Sequence, residues 1–453
     1  MENREDNFIQ EKIEPNPKGR NKKLFFCLAL ILTLLASFLG GFFFGDYYKT
    51  SDTNRLINEL LDIIEAKSKN EEGEEELTSD EIAQKLVQTI LAEDPYAKYY
   101  TAQEYKALKS ETGGTYNGIG VSFLTTEDDN TSLGKVNKVI WNSPAEEADL
   151  RAGDVIISAK VSTDALYTDF TNNVQLRNFL SDCEFNKEIN LKVKRGEDVI
   201  EKTVTKKQYS VAYVKYYDSE TEMYFKSTEG SLTLQKTENT DGKLETLDAK
   251  TAYIKFSQFE GTADVQFATA MEYMKERGRT KLILDLCDNG GGSMNILLNV
   301  ASYLIYNNGN AISRVAYARE NNRTTDFVTS RNNFNTSITK IVVLANENTA
   351  SASEALLGAM LYDGERGGIF TRNDMVIAYN SSRGNYSTYG KGIMQTIYQL
   401  KNGGALKLTT ATLYQPDNHT CIHKVGLTPT LDENCVQNNA LALARAIEIT
   451  SAC

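Results

Sequence analysis

The chain has 453 residues with 49 basic and 61 acidic side chains, so its formal net charge at pH 7 is −12. This length exceeds what one hydrophobic core usually supports and predicts two or three domains. Hydrophobic residues make up 41% and charged residues 24%, which excludes a mostly disordered chain. The acidic balance offers no basic surface for a phosphate backbone, so we expect no nucleic-acid partner.

Residues 24–45 form an apolar run without charge or proline, long enough for a helix to cross a bilayer. Basic residues precede the run and Asp46 follows it. Because positive residues stay cytoplasmic, the pattern predicts a cytoplasmic tail at 1–23 and an extracytoplasmic chain after the span. The prediction is a single-pass plasma-membrane protein that contacts lipid through one anchor helix. A cleaved signal peptide is the alternative, but the run is longer than usual and no small-residue cleavage site follows it.

Residues 46–109 are predicted to form a stalk and an N-terminal helical segment, because Leu and Ile recur at helical spacing in 55–66 and again in 80–91. From 110 to 208 the pattern changes to short β-rich runs with a helix between them. This segment contains a glycine loop before a strand, the run SPAEEADLRAGDVI, a helix and a hairpin.

In that order, these features resemble a PDZ domain. The resemblance implies a β-rich fold with two helices that captures the carboxyl terminus of a peptide as an added strand. It also implies that backbone N–H groups of the glycine loop hold the peptide carboxylate, because glycine lets an anion approach the backbone. The loop residues concerned are Gly118, Ile119, Gly120 and Val121.

Residues 209–248 are polar and predicted to form a connecting hairpin. From residue 252 onward, strands alternate with helices, which predicts a mixed α/β domain that we place at 209–453. Within it, the segment 346–355 follows a strand and runs into a helix. A hydroxyl at such a corner lies near the positive end of the helix dipole, where an oxyanion is stabilised.

A serine at this corner needs a base to become a nucleophile. The chain has only two histidines, His419 and His423, and neither lies in a motif that suggests a Ser–His–Asp triad. A buried lysine is the other option, because burial disfavours its charged form. Lys391 stands between two glycines, and Gln395, four residues later, could orient its side-chain nitrogen.

The segments Asp-Leu…Asn-Gly-Gly-Gly, Ser-Ala-Ser-Glu and Tyr-Gly-Lys-Gly-x-x-Gln together resemble the carboxyl-terminal processing peptidases, or tail-specific proteases. The resemblance implies a peptidase core of the tail-specific protease and crotonase-like fold. It implies Ser351 as nucleophile, Lys391 as general base and Gln395 as the residue that positions the base. The oxyanion hole falls on the N–H of Ala352 and on one from Gly291 or Gly292.

The expected function is therefore a membrane-anchored serine endopeptidase that cleaves extracytoplasmic protein or peptide substrates near their free C-termini. No metal and no organic cofactor is implied, and the oligomeric state stays open, a homo-oligomer included. A catalytically inactive PDZ adaptor is the alternative, because Cys287 and Gly290 depart from the family's usual Arg and Pro. A longer spacing before Lys391 also departs, and it predicts a polar loop inserted around 373–384.

Three further interpretations stay open at this point. Ser353 is a rival nucleophile, although a helix-capping role is favoured for it. The two histidines have metal-ligand spacing, but the surrounding residues favour a solvated loop. Six cysteines without a CxxC pair exclude a zinc ribbon and a disulfide-dense scaffold, while a bridge between Cys421 and Cys435 is conceivable outside the cell.

Overall fold

The computed structural model describes residues 79–123, 134–228, 231–238, 244, 246–321, 323–379 and 386–452. The predicted cytoplasmic tail, the membrane span 24–45 and the predicted stalk as far as residue 78 lie outside these residues. Within the described ranges, no helix is long and apolar enough to cross a membrane.

The described residues form eight α-helices. In chain order they are α1 Ser79–Ile90, α2 Ala102–Thr112, α3 Pro144–Glu147, α4 Asn173–Asp182, α5 Ala263–Glu276, α6 Met294–Leu304, α7 Ala352–Gly364 and α8 Asn439–Ser451. The predicted helix at 80–91 corresponds to α1, and its ends differ by one residue. After Ser143 the chain forms one turn of helix, α3, in which the Ser143 hydroxyl accepts from the N–H of Glu146 at 3.2 Å.

The strands of the described residues are short in the N-terminal half and form a longer series after residue 214. They are β1 Lys98–Tyr100, β2 Thr115–Gly118, β3 Val121–Phe123, β4 Gly134–Val139, β5 Val155–Val161, β6 Thr168–Asp169, β7 Glu188–Arg195, β8 Asp198–Thr205, β9 Lys207–Ser210, β10 Val214–Tyr217, β11 Thr221–Thr228, β12 Ser231–Glu238, β13 Thr251–Phe256, β14 Lys281–Asp285, β15 Arg314–Glu320, β16 Arg323–Val328, β17 Lys340–Asn346, β18 Met375–Ala378, β19 Ile393–Gln399, β20 Ala405–Tyr414 and β21 Cys435–Val436.

The chain divides into two compact units. One consists of residues as far as Ala107 together with Gln395–Thr410, and the other of Leu108–Met394 with Ala411–Cys453. In the first unit, β1 pairs antiparallel with the start of β20, and the Asp94 carboxylate accepts from the backbone N–H of Thr409 at 2.9 Å.

The main sheet of the second unit has the strand order β12-β11-β10-β13-β14-β17-β18-β21. In this sheet, the strands β13, β14, β17, β18 and β21 pair in parallel. The pairs β12–β11, β11–β10 and β10–β13 are antiparallel. Both faces are covered, since Leu282 and Leu284 pack in the cluster of α5, α6 and α7, and Ile283 packs in the cluster of α8. Burial on both faces explains why these strands read as continuous apolar runs.

Residues 115–210 form smaller sheets around a core of their own. One sheet has the order β3-β4-β5-β7-β8 with β6 beside β5, and α3 and α4 accompany it. The first and last strands of the segment, β2 and β9, pair with each other antiparallel. Just beyond them, the N–H of Val211 donates to the carbonyl of Gly114 at 3.0 Å.

One expectation about the segment before Lys391 is wrong. The polar loop predicted around 373–384 is not a loop as far as residue 379, because the buried strand β18 begins at Met375. Its neighbour β17 pairs with it in parallel, so it extends the main sheet. Residues 380–385 lie outside the described residues.

Candidate active site

Ser351 lies at a tight turn between the buried strand β17 and helix α7. Its backbone has φ 58° and ψ −116°, a conformation that a residue with a side chain adopts only under strain. Such strain costs about 1–3 kcal/mol and persists only where surrounding structure imposes it. The turn places the half-buried Ser351 directly before the first helical residue, Ala352, where the helix dipole favours negative charge.

The rival serine has a different environment. Ser353 is fully buried inside the first turn of α7, and its hydroxyl donates to the carbonyl of Asn289 at 2.9 Å. It therefore does not cap the helix, contrary to the expectation from sequence, but ties α7 to the glycine loop. Thr349 is buried likewise, and its hydroxyl donates to the carbonyl of Leu286 at 2.9 Å.

The glycine loop comes directly against the nucleophile turn. A Cβ added to Gly291 would lie 2.8 Å from the Ala350 carbonyl oxygen, the Ala352 nitrogen and the Ser351 Cβ. Gly291 also has φ 97°, so both the space and the backbone conformation require glycine. The neighbouring Gly290 has no such constraint, because an added Cβ would meet only the Gln258 side chain at 4.0 Å.

The two predicted oxyanion glycines differ in their hydrogen bonds. The N–H of Gly291 donates to the side-chain oxygen of Asn289 at 3.0 Å. The N–H groups of Gly292 and Ala352 donate no hydrogen bond to another described residue. The N–H groups of Ala352 and Gly292 are therefore the unengaged donors beside Ser351.

Glu354 connects the nucleophile turn to the segment that carries Lys391. Its side chain is fully buried, and its Oε2 accepts from the N–H of Ser351 at 2.9 Å and from the N–H of Lys391 at 2.8 Å. Its Oε1 accepts from the Thr388 hydroxyl at 2.5 Å and from the N–H of Gly390 at 2.7 Å. The structure thus brings the backbones of Ser351 and Lys391 to one carboxylate oxygen, although they are far apart in sequence.

Sequence reasoning did not single out Glu354 as a site residue. The available signal was its place three positions after Ser351, the spacing at which a glutamate accepts from the backbone N–H of a helix N-cap. Its second role, toward the Lys391 segment, depends on tertiary structure and has no local signal.

Gln395 lies in β19, where its side-chain nitrogen donates to the carbonyl of Tyr96 at 3.0 Å. Its role in positioning Lys391 stays a prediction. The departure at Cys287 lies in the core, since that side chain is 1% exposed and burial raises the pKa of its thiol well above the usual value. An inert, buried thiol fits a packing role for Cys287 rather than a part in the chemistry.

A second polar group braces the glycine loop from outside. The carboxylate of Asp288 accepts from the side-chain amides of Asn346 and Asn348, both at 2.9 Å. Burial opposes ionisation of this carboxyl, but these hydrogen bonds and the charges of Lys255 and Lys138 outweigh it and hold its pKa below the usual value. The glycine loop and the nucleophile turn are thereby held together on both sides of Ser351.

The predicted peptide-binding loop also has unengaged backbone donors. Among the described residues, the N–H groups of Ile119 and Gly120 have no hydrogen-bond acceptor. Gly120 has φ 91°, and an added Cβ would lie 2.0 Å from the Ser143 Cβ, so this position requires glycine. Gly118 ends β2, and Val121 begins β3, which lies at the edge of its sheet.

The four cysteines in the described residues are free thiols, so no bridge joins Cys421 to Cys435 in this structure. In the same part of the chain, no group of three or more His, Cys, Asp or Glu side chains could hold a metal ion. His419 is exposed, but His423 is half-buried, contrary to the expectation of a solvated pair.

Comparison with known proteins finds one matching family model and several similar proteins. Residues 250–369 and 382–432 match the family model of Peptidase family S41. Carboxyl-terminal-processing peptidase 2 of Arabidopsis thaliana is 27% identical over 348 residues, which are 76% of this chain and 58% of that protein. The carboxyl-terminal-processing protease of Picosynechococcus is 24% identical over 347 residues, 75% of this chain and 69% of that protein.

A probable CtpA-like serine protease of Staphylococcus aureus is 25% identical over 391 residues, 85% of this chain and 61% of that protein. Among solved structures, a photosystem II D1 C-terminal processing protease superposes with a TM-score of 0.47 at 20% identity, covering 91% of this chain and 93% of that chain. The chain therefore spans between 58% and 69% of the length of these sequence relatives.

Proposed function

We propose that this chain is a serine endopeptidase that cleaves protein substrates near their carboxyl termini, because its residues 250–369 and 382–432 match the family model of Peptidase family S41. We assign Ser351 as nucleophile and Lys391 as general base. The observation that supports this most is the shared Glu354 oxygen, to which the N–H groups of both residues donate.

In the proposed reaction, the amine of Lys391 takes the proton of the Ser351 hydroxyl as Oγ attacks the substrate carbonyl carbon. The N–H groups of Ala352 and Gly292 then stabilise the negative oxygen of the tetrahedral intermediate. Lys391 returns the proton to the leaving amine as the peptide bond breaks. Water hydrolyses the remaining ester, with Lys391 again acting as base, and frees Ser351.

Strain at Ser351 supports its role as nucleophile. The backbone of Ser351 is held at positive φ with its N–H bound to Glu354, so the residue keeps a fixed position at the helix N-terminus when the substrate binds. Ser353 and Thr349 already donate their hydroxyl protons to backbone carbonyls and are buried, which leaves Ser351 as the hydroxyl available to the substrate at this corner.

We further propose that residues 110–208 act as a PDZ domain that recruits the substrate tail. Among the described strands β3 pairs only with β4, so its other edge can accept the tail as an added strand, and the unengaged N–H groups of Ile119 and Gly120 can hold its carboxylate. Gln395 is proposed to orient Lys391. The charge asymmetry around residues 24–45 supports an anchor in the plasma membrane with the catalytic domain outside.

Labelling with a fluorophosphonate probe tests the proposed function directly. We expect the intact protein to be labelled and Ser351→Ala to lose labelling, while Ser353→Ala keeps it. Absence of Ser351-dependent labelling in a folded protein would instead indicate the adaptor, a catalytically inactive PDZ scaffold. Binding of a peptide with a free carboxyl terminus, compared with its amidated form, tests the recruiting role separately.

A further inference from the structure

The segment that carries Lys391 is held on its second side by the turn Ile422–Leu427. The N–H of Lys424 donates to the carbonyl of Gly390 at 2.7 Å. The Thr388 hydroxyl accepts from the N–H of Leu427 at 2.8 Å, and the N–H of Thr388 donates to the carbonyl of Leu427 at 3.0 Å. The Lys391 segment is thus clamped between Glu354 and this turn.

His423 is the residue of the turn that packs against the position after the base. A Cβ added to Gly392 would lie 2.6 Å from the backbone nitrogen of His423, so the two backbones are in direct contact. The side chain of His423 is half-buried, and its Nδ1 is inaccessible to solvent with no hydrogen-bond partner among the described residues.

A buried polar nitrogen without a partner destabilises the folded state, and an aliphatic side chain of similar size would avoid this cost. The imidazole also has a hydrogen bond to the backbone of Gly390, directly before Lys391, so the ring connects this turn to the segment that carries the base. Burial and the charge of Lys424 lower the pKa of His423, whereas Glu354 and the Gly390 carbonyl favour its protonated form. The net lowering leaves the imidazole neutral near pH 7.

We propose that His423 is a positioning residue for Lys391, acting by holding the segment Gly390–Gly392 at the distance from Ser351 that proton transfer needs. The inference rests on the proposed function. It assigns to His423 no contact with the substrate, so its effect must pass through the placement of the base. A displacement of the base by about 1 Å can cost on the order of 10²-fold in rate.

The test compares His423→Leu, His423→Asn and His423→Gln with the intact protein, in kcat, KM and the pH dependence of kcat. We expect His423→Leu to lower kcat by about 10- to 100-fold with KM unchanged and to move the midpoint of the rise of kcat with pH. Asn places an amide group near the position of Nδ1 and Gln near that of Nε2, so whichever variant restores kcat identifies the nitrogen that acts.

His419→Leu is the matched control, because His419 is the chain's only other histidine, is exposed and lies in the same loop. It should leave all three quantities unchanged. The inference is wrong if His423→Leu matches the intact protein in kcat and pH profile. If His423→Leu does not fold, the same match in both the Asn and Gln variants shows that the inference is wrong. Lys391→Ala in the same assay distinguishes failure of the His423 inference from failure of the proposed function, since full activity in that variant refutes the proposed function itself.

Discussion

The backbone N–H groups of Ser351 and Lys391 donate to the same atom, Oε2 of Glu354, at 2.9 and 2.8 Å. One buried carboxylate therefore fixes how far apart the two main chains lie. The side chains that would exchange a proton extend from these two fixed points. The spacing of nucleophile and base therefore depends on Glu354.

Glu354→Gln should weaken both the site and the fold. Glutamine keeps the size of the side chain, but its amide nitrogen is a donor and would face N–H groups that need an acceptor. An unsatisfied buried donor costs about 1–3 kcal/mol, so we expect the free energy of unfolding to fall by about 2 kcal/mol or more. The kcat should fall at least about tenfold, because the Lys391 segment loses its attachment.

Urea unfolding and steady-state kinetics measure these two effects. Glu365→Gln is the control, since Glu365 is exposed at the other end of the same helix. Equal kcat and equal stability in Glu354→Gln would show that the shared carboxylate does not set the position of the base.

Lys391→Ala should lower kcat by about 10²–10⁴-fold with little change in KM, because general-base catalysis typically contributes that much and the substrate is bound elsewhere. Lys401→Ala, at an exposed lysine, should behave as the intact protein. In the intact protein, kcat should rise with pH as the amine of Lys391 loses its proton. A loss below about tenfold in Lys391→Ala would count against its role as base.

Gly291→Ala and Gly290→Ala form a matched pair in the glycine loop. At Gly291 the added Cβ collides at 2.8 Å with the backbone of Ala350 and Ala352, so the oxyanion donors must shift. We expect kcat to fall by about 10²–10³-fold, the usual effect of losing one such donor. At Gly290 the added Cβ has space, and activity should stay close to that of the intact protein; equal losses in both variants would contradict this account.

Glu260 should make stability depend on pH. Burial and the charge of Glu111 raise the pKa of Glu260 to about 7 from an ordinary value of 4.5, although Tyr116 and Lys138 oppose the shift. The folded protein holds this proton more tightly than the unfolded chain. The contribution of Glu260 to the free energy of unfolding therefore falls as the pH rises between these two values and is constant above them.

Glu260→Gln removes this pH dependence. Relative to the intact protein, the variant should gain roughly 1–3 kcal/mol in unfolding free energy between about pH 4.5 and about pH 7.5. Urea unfolding at a series of pH values measures the gain, and Glu93→Gln, at an exposed glutamate, serves as control. Parallel pH curves for Glu260→Gln and the intact protein would show that Glu260 ionises normally.

Local patterns predicted the elements that position the nucleophile. The strand at 341–344 and the helix after Ser351 follow from an apolar run and from a corner rich in small residues, and β17 and α7 confirm them. The apolar run Met375–Ala378 carried the same signal. The longer spacing before Lys391 predicts an inserted loop there, but spacing alone does not distinguish a loop from an added strand.

The contacts between distant segments could not be predicted in this way. Glu354 binds Gly390 and Lys391, which lie 36 and 37 positions away, and no periodicity encodes such pairs. The burial of His423 likewise depends on Gly392, whose missing side chain admits the turn Ile422–Leu427. The spacing of motifs along the chain indicates which residues are candidates for the site. The contacts between these residues depend on how β17, α7 and the later loops pack.

The hydrogen bond from Val211 to Gly114 closes the base of the segment formed by β2 to β9. The chain leaves the larger core and returns to it at neighbouring residues, so a short linker would span the two ends of the excursion. An insertion built in this way can be exchanged for another of similar width at its stem while the parallel sheet beneath keeps its connections.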